Sequence, residues 1–235
     1  DVLNKITKEV IWKDFLEEIL YKSSDFLLNN TYITCFSEHN KDDDILGKLS
    51  MWRAYGRGNG GAIVMDKDII LKPPVVYKKL ILSPVAYSTD KKFEEMFLRI
   101  LGVLNEHIKE FQQMNPREFE NIMRTIFVAS IMSLKHPGFK EECEWRLIYQ
   151  DSGAAMDESI KSDVQCINGI PQKIFKINMS LIANKLIDHI IIGPTEYGYP
   201  ALQVLEDDLK VIFKESYCEK RRIVFSGIPI RPSCI

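Results

Sequence analysis

The sequence predicts an α+β fold in a single domain, a strand-rich core that carries a helical insertion. Short β-branched and aromatic runs recur at Thr31–Ser37, Ala62–Met65, Val75–Tyr87, Glu144–Tyr149, Lys173–Ile177, His189–Ile192 and Ile223–Ser226. Two stretches with apolar residues at helical spacing, Lys91–Met114 and Pro116–Leu134, stand between the third run and the fourth. Strands and helices do not alternate regularly, which excludes a doubly wound parallel sheet.

Taken in order, Thr7 is an expected N-cap. Val10, Ile11, Phe15, Leu16, Ile19 and Leu20 follow it as the apolar stripe of an amphipathic helix. Asn29-Asn30 ends that pattern before the strand TYITCFS, with Ser37 at its exit. His39–Asp44 reads as a polar loop, and its aspartates lack calcium-loop spacing. Ile45–Tyr55 carries Leu46, Leu49, Trp52 and Tyr55 at helical spacing. The glycine-rich run Gly56–Gly61 ends this helix and leads into the strand Ala62–Met65. That run matches G-x-G-x-x-G, but a dinucleotide fingerprint needs a strand before it and a helix after it, and here the order is reversed. Val75–Tyr87, interrupted by Pro84, is expected to return beside Ala62–Met65. Pro116 suits the first turn of its helix. Residues 151–171 are polar and read as a long surface loop. Beyond it are expected a short helix around Leu181–Leu186 and an amphipathic helix over Pro200–Tyr217.

Bulk properties narrow the function classes. The 235 residues are 46% hydrophobic and 27% charged, enough to build a core, and the net charge of −2 provides no global attraction to nucleic acid. Five scattered cysteines without C-x-x-C spacing indicate neither a zinc site nor a disulfide framework and fit a reducing cytoplasm. The longest apolar run, Ile126–Leu134, is too short to span a bilayer, so no membrane partner is expected. The four histidines lack metal-ligand spacing, and no G-x-S-x-G motif is present, so no metal is expected.

The most informative stretch is KHPGFKEECEWRLIY, Lys135–Tyr149. Read as a Pro-Gly turn followed by a strand, it places Glu142, Glu144 and Arg146 in one row, because alternate residues share a face. Trp145 then lies on the opposite face and is expected to be buried. Read locally, the row fits an ion pair between Arg146 and Glu144, or edge-strand charges that discourage aggregation.

Four stretches together resemble a bacterial family known only as domain-of-unknown-function family 2971: TCFSE at Thr34–Glu38, MWRAYGRGNGGAIV at Met51–Val64, FKEECEWRLIY at Phe139–Tyr149, and a tail with IIIGP and FSGIPIR. The resemblance runs from about Thr34 to the C-terminus. It implies a further N-terminal segment with a tyrosine-rich strand that this chain does not show, so the chain is expected to be a fragment of a longer protein. The layout also resembles ADP-ribosyltransferases, whose split-sandwich sites combine an early Arg or His, a middle-strand Ser or aromatic residue, and a late Glu-x-Glu. Ser37 matches the middle-strand position and Glu142-x-Glu144 the late motif; the first motif has no match here.

That second resemblance implies an enzyme that cleaves the nicotinamide–ribose bond of NAD and modifies a macromolecular acceptor, protein or nucleic acid. Glu144 is then expected to stabilise the oxocarbenium-like transition state, with Glu142 handling the acceptor. Trp52 and Tyr55 fit a core role as well as they fit stacking on nicotinamide, and Arg53 and Arg57 are candidates for the pyrophosphate. NAD is the substrate, and an antitoxin or defence-complex partner would suit a toxin or phage-defence effector. The alternatives are an NAD glycohydrolase, a nucleic-acid-binding module using Arg53, Arg57, Arg146, Arg221 and Arg222, and a non-catalytic interaction domain.

Overall fold

The computed structural model describes residues 29–41, 43–56, 60–72, 79–111, 113–151, 159–180, 182–195, 198–213 and 223–229. The helix expected after Thr7, together with Arg57, Arg221 and Arg222, lies outside these residues. In chain order the elements are β1 (Thr31–Ser37), α1 (Asp43–Leu46), α2 (Leu49–Tyr55), β2 (Gly61–Met65), α3 (Lys67–Leu71), β3 (Leu80–Pro84), β4 (Ala86–Tyr87) and α4 (Asp90–Glu106). There follow α5 (Ile108–Phe111), α6 (Pro116–Met132), β5 (Leu134–Lys135), a 3-10 turn (Pro137–Glu142), β6 (Glu144–Gln150), β7 (Ile160–Ile167) and β8 (Ile170–Ile177). The last are α7 (Ala183–Leu186), β9 (Ile187–Ile192), α8 (Gly198–Phe213) and β10 (Ile223–Phe225). The fold is mixed α+β with several small sheets, as the mixture of β-branched runs and helical spacing predicts.

The chain divides into two compact units, residues 1–37 with 79–156, and residues 38–78 with 157–235. In the first, β6 lies between β1 and β3 in an antiparallel sheet, and β4 pairs with β5 in parallel. The helical stretch between Asp90 and Met132 covers one face of that sheet. Phe97 and Leu104 from α4 and Met123, Phe127 and Val128 from α6 close over Ile148 of β6, with Ile81 of β3 packed against them. Asn115 caps α6 by accepting from the Arg117 amide at 2.9 Å, and Pro116 occupies the first turn, where its missing N–H costs nothing.

In the second unit β9 is central, antiparallel to β2 and parallel to β10, and Ile190 packs against Ala183, Ile187 and Ile223. The β7–β8 pair forms a separate antiparallel ribbon.

Four expectations are corrected. The helix expected over Ile45–Tyr55 is split at Gly47, whose φ of +67° is left-handed and ends α1 before α2 begins. The strand ending at Tyr87 does not return beside β2: β3 pairs with β6, and β2 pairs with β9. From residue 160 the expected long loop is instead strand: β7 pairs with β8, which contains the expected strand Lys173–Ile177, in a hairpin around Asn168-Gly169, both at positive φ. This is the geometry of a two-residue type I′ turn, and Asn-Gly is its strongest sequence signal. Finally, Trp145 is only half-buried, and the buried side chain at the start of β6 is Glu144.

Candidate active site

Cross-strand register gathers the polar residues of the first unit. Ser37 of β1 pairs with Glu144 of β6, Cys35 with Arg146, and Ser83 of β3 with Arg146. Paired residues share a face of the sheet, so Cys35, Ser37, Glu144, Arg146 and Ser83 lie on the face that Ile148 and Ile81 also occupy. Further along β6 that face is apolar and covered by α4 and α6, and two residues nearer the start of the strand it becomes charged. Arg146 marks the changeover, because its Nη1 donates to the Met132 carbonyl at the end of α6. A guanidinium there satisfies a helix-terminal carbonyl and complements the negative end of the helix dipole.

Glu144 is 5% exposed and nearly saturated with partners. Its Oε1 accepts from Arg146 Nε at 2.8 Å and its Oε2 from Lys135 Nζ at 2.6 Å. Its backbone N–H donates to Tyr87 Oη at 2.7 Å, and its carbonyl accepts from the Val85 amide at 2.9 Å. The Cys35 thiol also donates to its carboxylate. Burial acts to raise the Glu144 pKa, but the hydrogen bonds from Arg146, Cys35 and Lys135 and the charge of Arg146 outweigh it, holding the carboxyl at about 2. The reciprocal effect appears at Cys35: partial burial and then Glu144 push its thiol up to about 11, so it stays protonated at neutral pH.

Glu142 does not lie on the strand. It is the last residue of the 3-10 turn, and Cys143 follows it in the left-handed region at φ 47°, so the pleat does not produce the expected row of Glu142, Glu144 and Arg146. Lys135 brings the two carboxylates together instead, with Nζ donating to both Glu142 Oε2 and Glu144 Oε2. It also lies 5.0 Å from the centre of the Phe139 ring. Burial acts to lower the Lys135 pKa, but the bonds to Glu142 and Glu144 act more strongly, so the net shift is upward. Ser37 Oγ donates to the Glu142 carbonyl at 2.6 Å and so fixes the end of the turn against β1.

Of the residues singled out in the sequence, Ser37, Glu142 and Glu144 are therefore neighbours. Trp52, Arg53 and Tyr55 lie on α2 in the second unit. There the Trp52 indole donates to the Leu46 carbonyl at 2.9 Å, and its ring packs against the backbone at Gly47 and Gly193, which gives it a packing task. Arg53 and Tyr55 are exposed. The sequence reading missed Lys135, Tyr87 and Cys35. A signal for Lys135 existed, since a Pro-Gly turn separates it from the glutamates and reverses the chain onto them; Tyr87 lies 57 residues from Glu144, and no local pattern links the two. Among the described residues, no three His, Cys, Asp or Glu side chains gather as a metal site, and no helix is long and apolar enough to cross a membrane.

A family model described as protein of unknown function (DUF2971) matches residues 51–147, less than half of the chain, and supports the resemblance to that family. The match includes Lys135, Glu142, Glu144 and Arg146. No curated protein and no solved structure matches the chain.

Proposed function

We propose that this chain is an ADP-ribosyltransferase-like enzyme that cleaves the nicotinamide–ribose bond of NAD, with Glu144 as the carboxylate facing the ribosyl cation. Support comes chiefly from the ionisation of Glu144: a carboxyl held at about 2 carries full negative charge at neutral pH. Scission of the bond develops positive charge on the ribose, and a fixed, ionised carboxylate beside it stabilises charge that exists only in the transition state. Arg146 and Lys135 hold the carboxylate in one orientation, so little reorganisation is needed as the charge develops. Ser37, which the resemblance matches to the middle-strand position of such sites, pairs with Glu144 across β1 and β6. Glu142, joined to Glu144 through Lys135, prepares a macromolecular acceptor.

A second reading is favoured by the same contacts. Two carboxylates, one lysine and one arginine sum to zero charge, and Glu144 is almost wholly covered, as in an ion-pair network that holds the 3-10 turn and β6 together.

Incubation of the protein with NAD and measurement of free nicotinamide separates the two readings. The enzymatic reading expects release by the wild type and its loss in the folded fraction of Glu144→Gln. A wild type without release, or a Glu144→Gln variant within about tenfold of it, a difference of about 1.4 kcal/mol, overturns the enzymatic reading. Glu142→Ala is expected to lose acceptor labelling while retaining slow nicotinamide release, with water taking the acceptor's place. Parallel loss of both activities in both variants would sink that division of labour.

A further inference from the structure

Tyr87 stands at the end of β4, opposite Lys135 of β5, and its hydroxyl lies beside the start of β6. The Glu144 backbone N–H donates to Tyr87 Oη at 2.7 Å, which anchors the phenol at the start of β6. A phenolic hydroxyl has one hydrogen to donate as well as lone pairs to accept. Here an accepting position is filled, so the hydrogen is directed away from Glu144 N, and among the described residues the hydroxyl makes no other hydrogen bond. Tyr87 is half-buried.

The other donors around Glu144 already bond within the site. Arg146 Nε serves Oε1 and its Nη1 serves the Met132 carbonyl, Lys135 bridges both glutamates, the Cys35 thiol serves Glu144, and Ser37 serves the Glu142 carbonyl. Burial raises the Tyr87 pKa above its ordinary value of 10.0, against the bond from the Glu144 backbone, and the Glu144 charge adds to the rise, so the hydroxyl keeps its hydrogen at neutral pH.

We propose that Tyr87 is a substrate-binding residue of the carboxylate site and donates its phenolic hydrogen to a hydroxyl oxygen of the nicotinamide ribose. This rests on the NAD reading above and names the group that orients the ribose once the carboxylate is taken up by its own cations. No bond is made or broken at Tyr87. Its hydrogen bond forms with the bound ground state and persists into the transition state, so its loss falls on KM and not on kcat.

The test is steady-state nicotinamide release by the wild type and Tyr87→Phe, with NAD and with its 2′-deoxy and 3′-deoxy nicotinamide-ribose analogues. Tyr87→Phe is expected to raise KM for NAD about three- to tenfold with kcat within about twofold, the size of one hydrogen bond between uncharged groups. With the analogue lacking the contacted hydroxyl, the two proteins should have equal KM. A structural role for Tyr87, acting only through the Glu144 amide, instead lowers kcat and the melting temperature and leaves KM in place. Placing 4-methoxyphenylalanine at position 87, whose ether oxygen can still accept from that amide but has no hydrogen to donate, gives the second variant should Tyr87→Phe not fold, and the same rise in KM is expected. An unchanged KM in whichever variant folds overturns the assignment while leaving the Glu144 reading standing. A wild type that releases no nicotinamide overturns both.

Discussion

Glu144 concentrates the consequences of this arrangement. Because Arg146 and Lys135 both spend hydrogen bonds on a carboxylate with 5% exposure, Glu144→Gln leaves two cations short of their counter-charge in a covered site. Removing one partner of a buried pair typically costs about 3–5 kcal/mol, so the variant should unfold at clearly lower denaturant than the wild type. An unchanged midpoint would mean that the ion pairs contribute nothing to stability. The pH dependence has a definite sign. The carboxyl pKa is depressed from 4.5 in an unconstrained chain to about 2 in the fold, so its contribution is fully present above pH 4.5 and is lost as pH falls from there toward 2. At about 1.4 kcal/mol per pH unit the contribution is roughly 3 kcal/mol. Denaturant titrations at pH 7 and pH 3 should show part of that loss in the wild type and much less of it in Glu144→Gln.

Short elements carry the geometry that puts the two glutamates within reach of one lysine. Cys143 takes a left-handed conformation at φ 47° between the 3-10 turn and β6, and left-handed backbone is unfavourable for a side chain branched at Cβ. Cys143→Val should therefore destabilise by about 1–2 kcal/mol, whereas Cys143→Gly should be tolerated. Equal melting temperatures for the two would show that this turn relaxes freely. Gly47 imposes a similar break between α1 and α2. Its φ is +67°, and an added Cβ would lie 2.7 Å from the Trp52 ring, so Gly47→Ala combines backbone strain with a steric clash. A loss of about 2–4 kcal/mol is expected by thermal denaturation. In the β7–β8 ribbon, by contrast, Asn168-Gly169 meets the demands of its turn, and the hairpin was legible in principle. It was overlooked because the strands flanking the turn are largely exposed and show little of the apolar alternation that marks a half-buried strand.

Across the whole chain, stability should reside unevenly. Phe127→Ala empties a site closed by Phe97, Met123 and Ile148 and should cost about 3–5 kcal/mol, while Val164→Thr on the exposed ribbon, where Val164 is 66% exposed, should fall within about 0.5 kcal/mol of the wild type. Guanidinium unfolding of the two variants checks the contrast. The same unevenness separates what was legible in the residues from what was not. Periodicity and composition were sufficient for the α+β class, for β1 at Thr31–Ser37, for α6 with Pro116 in its first turn, and for an ion pair between Glu144 and Arg146. These features rest on neighbours two to four residues apart or on side-chain preferences that the chain carries anywhere. The pairing of β6 with β1 and β3, the burial of Glu144 in place of Trp145, and the convergence of Lys135, Tyr87 and Cys35 on one glutamate came from long-range contacts. Which face of β6 is covered depends on where α4 and α6 pack, and that is settled by the helices' fit over Ile148 and Ile81, not by the alternation within EWRLIY, which reads the same whichever face is buried.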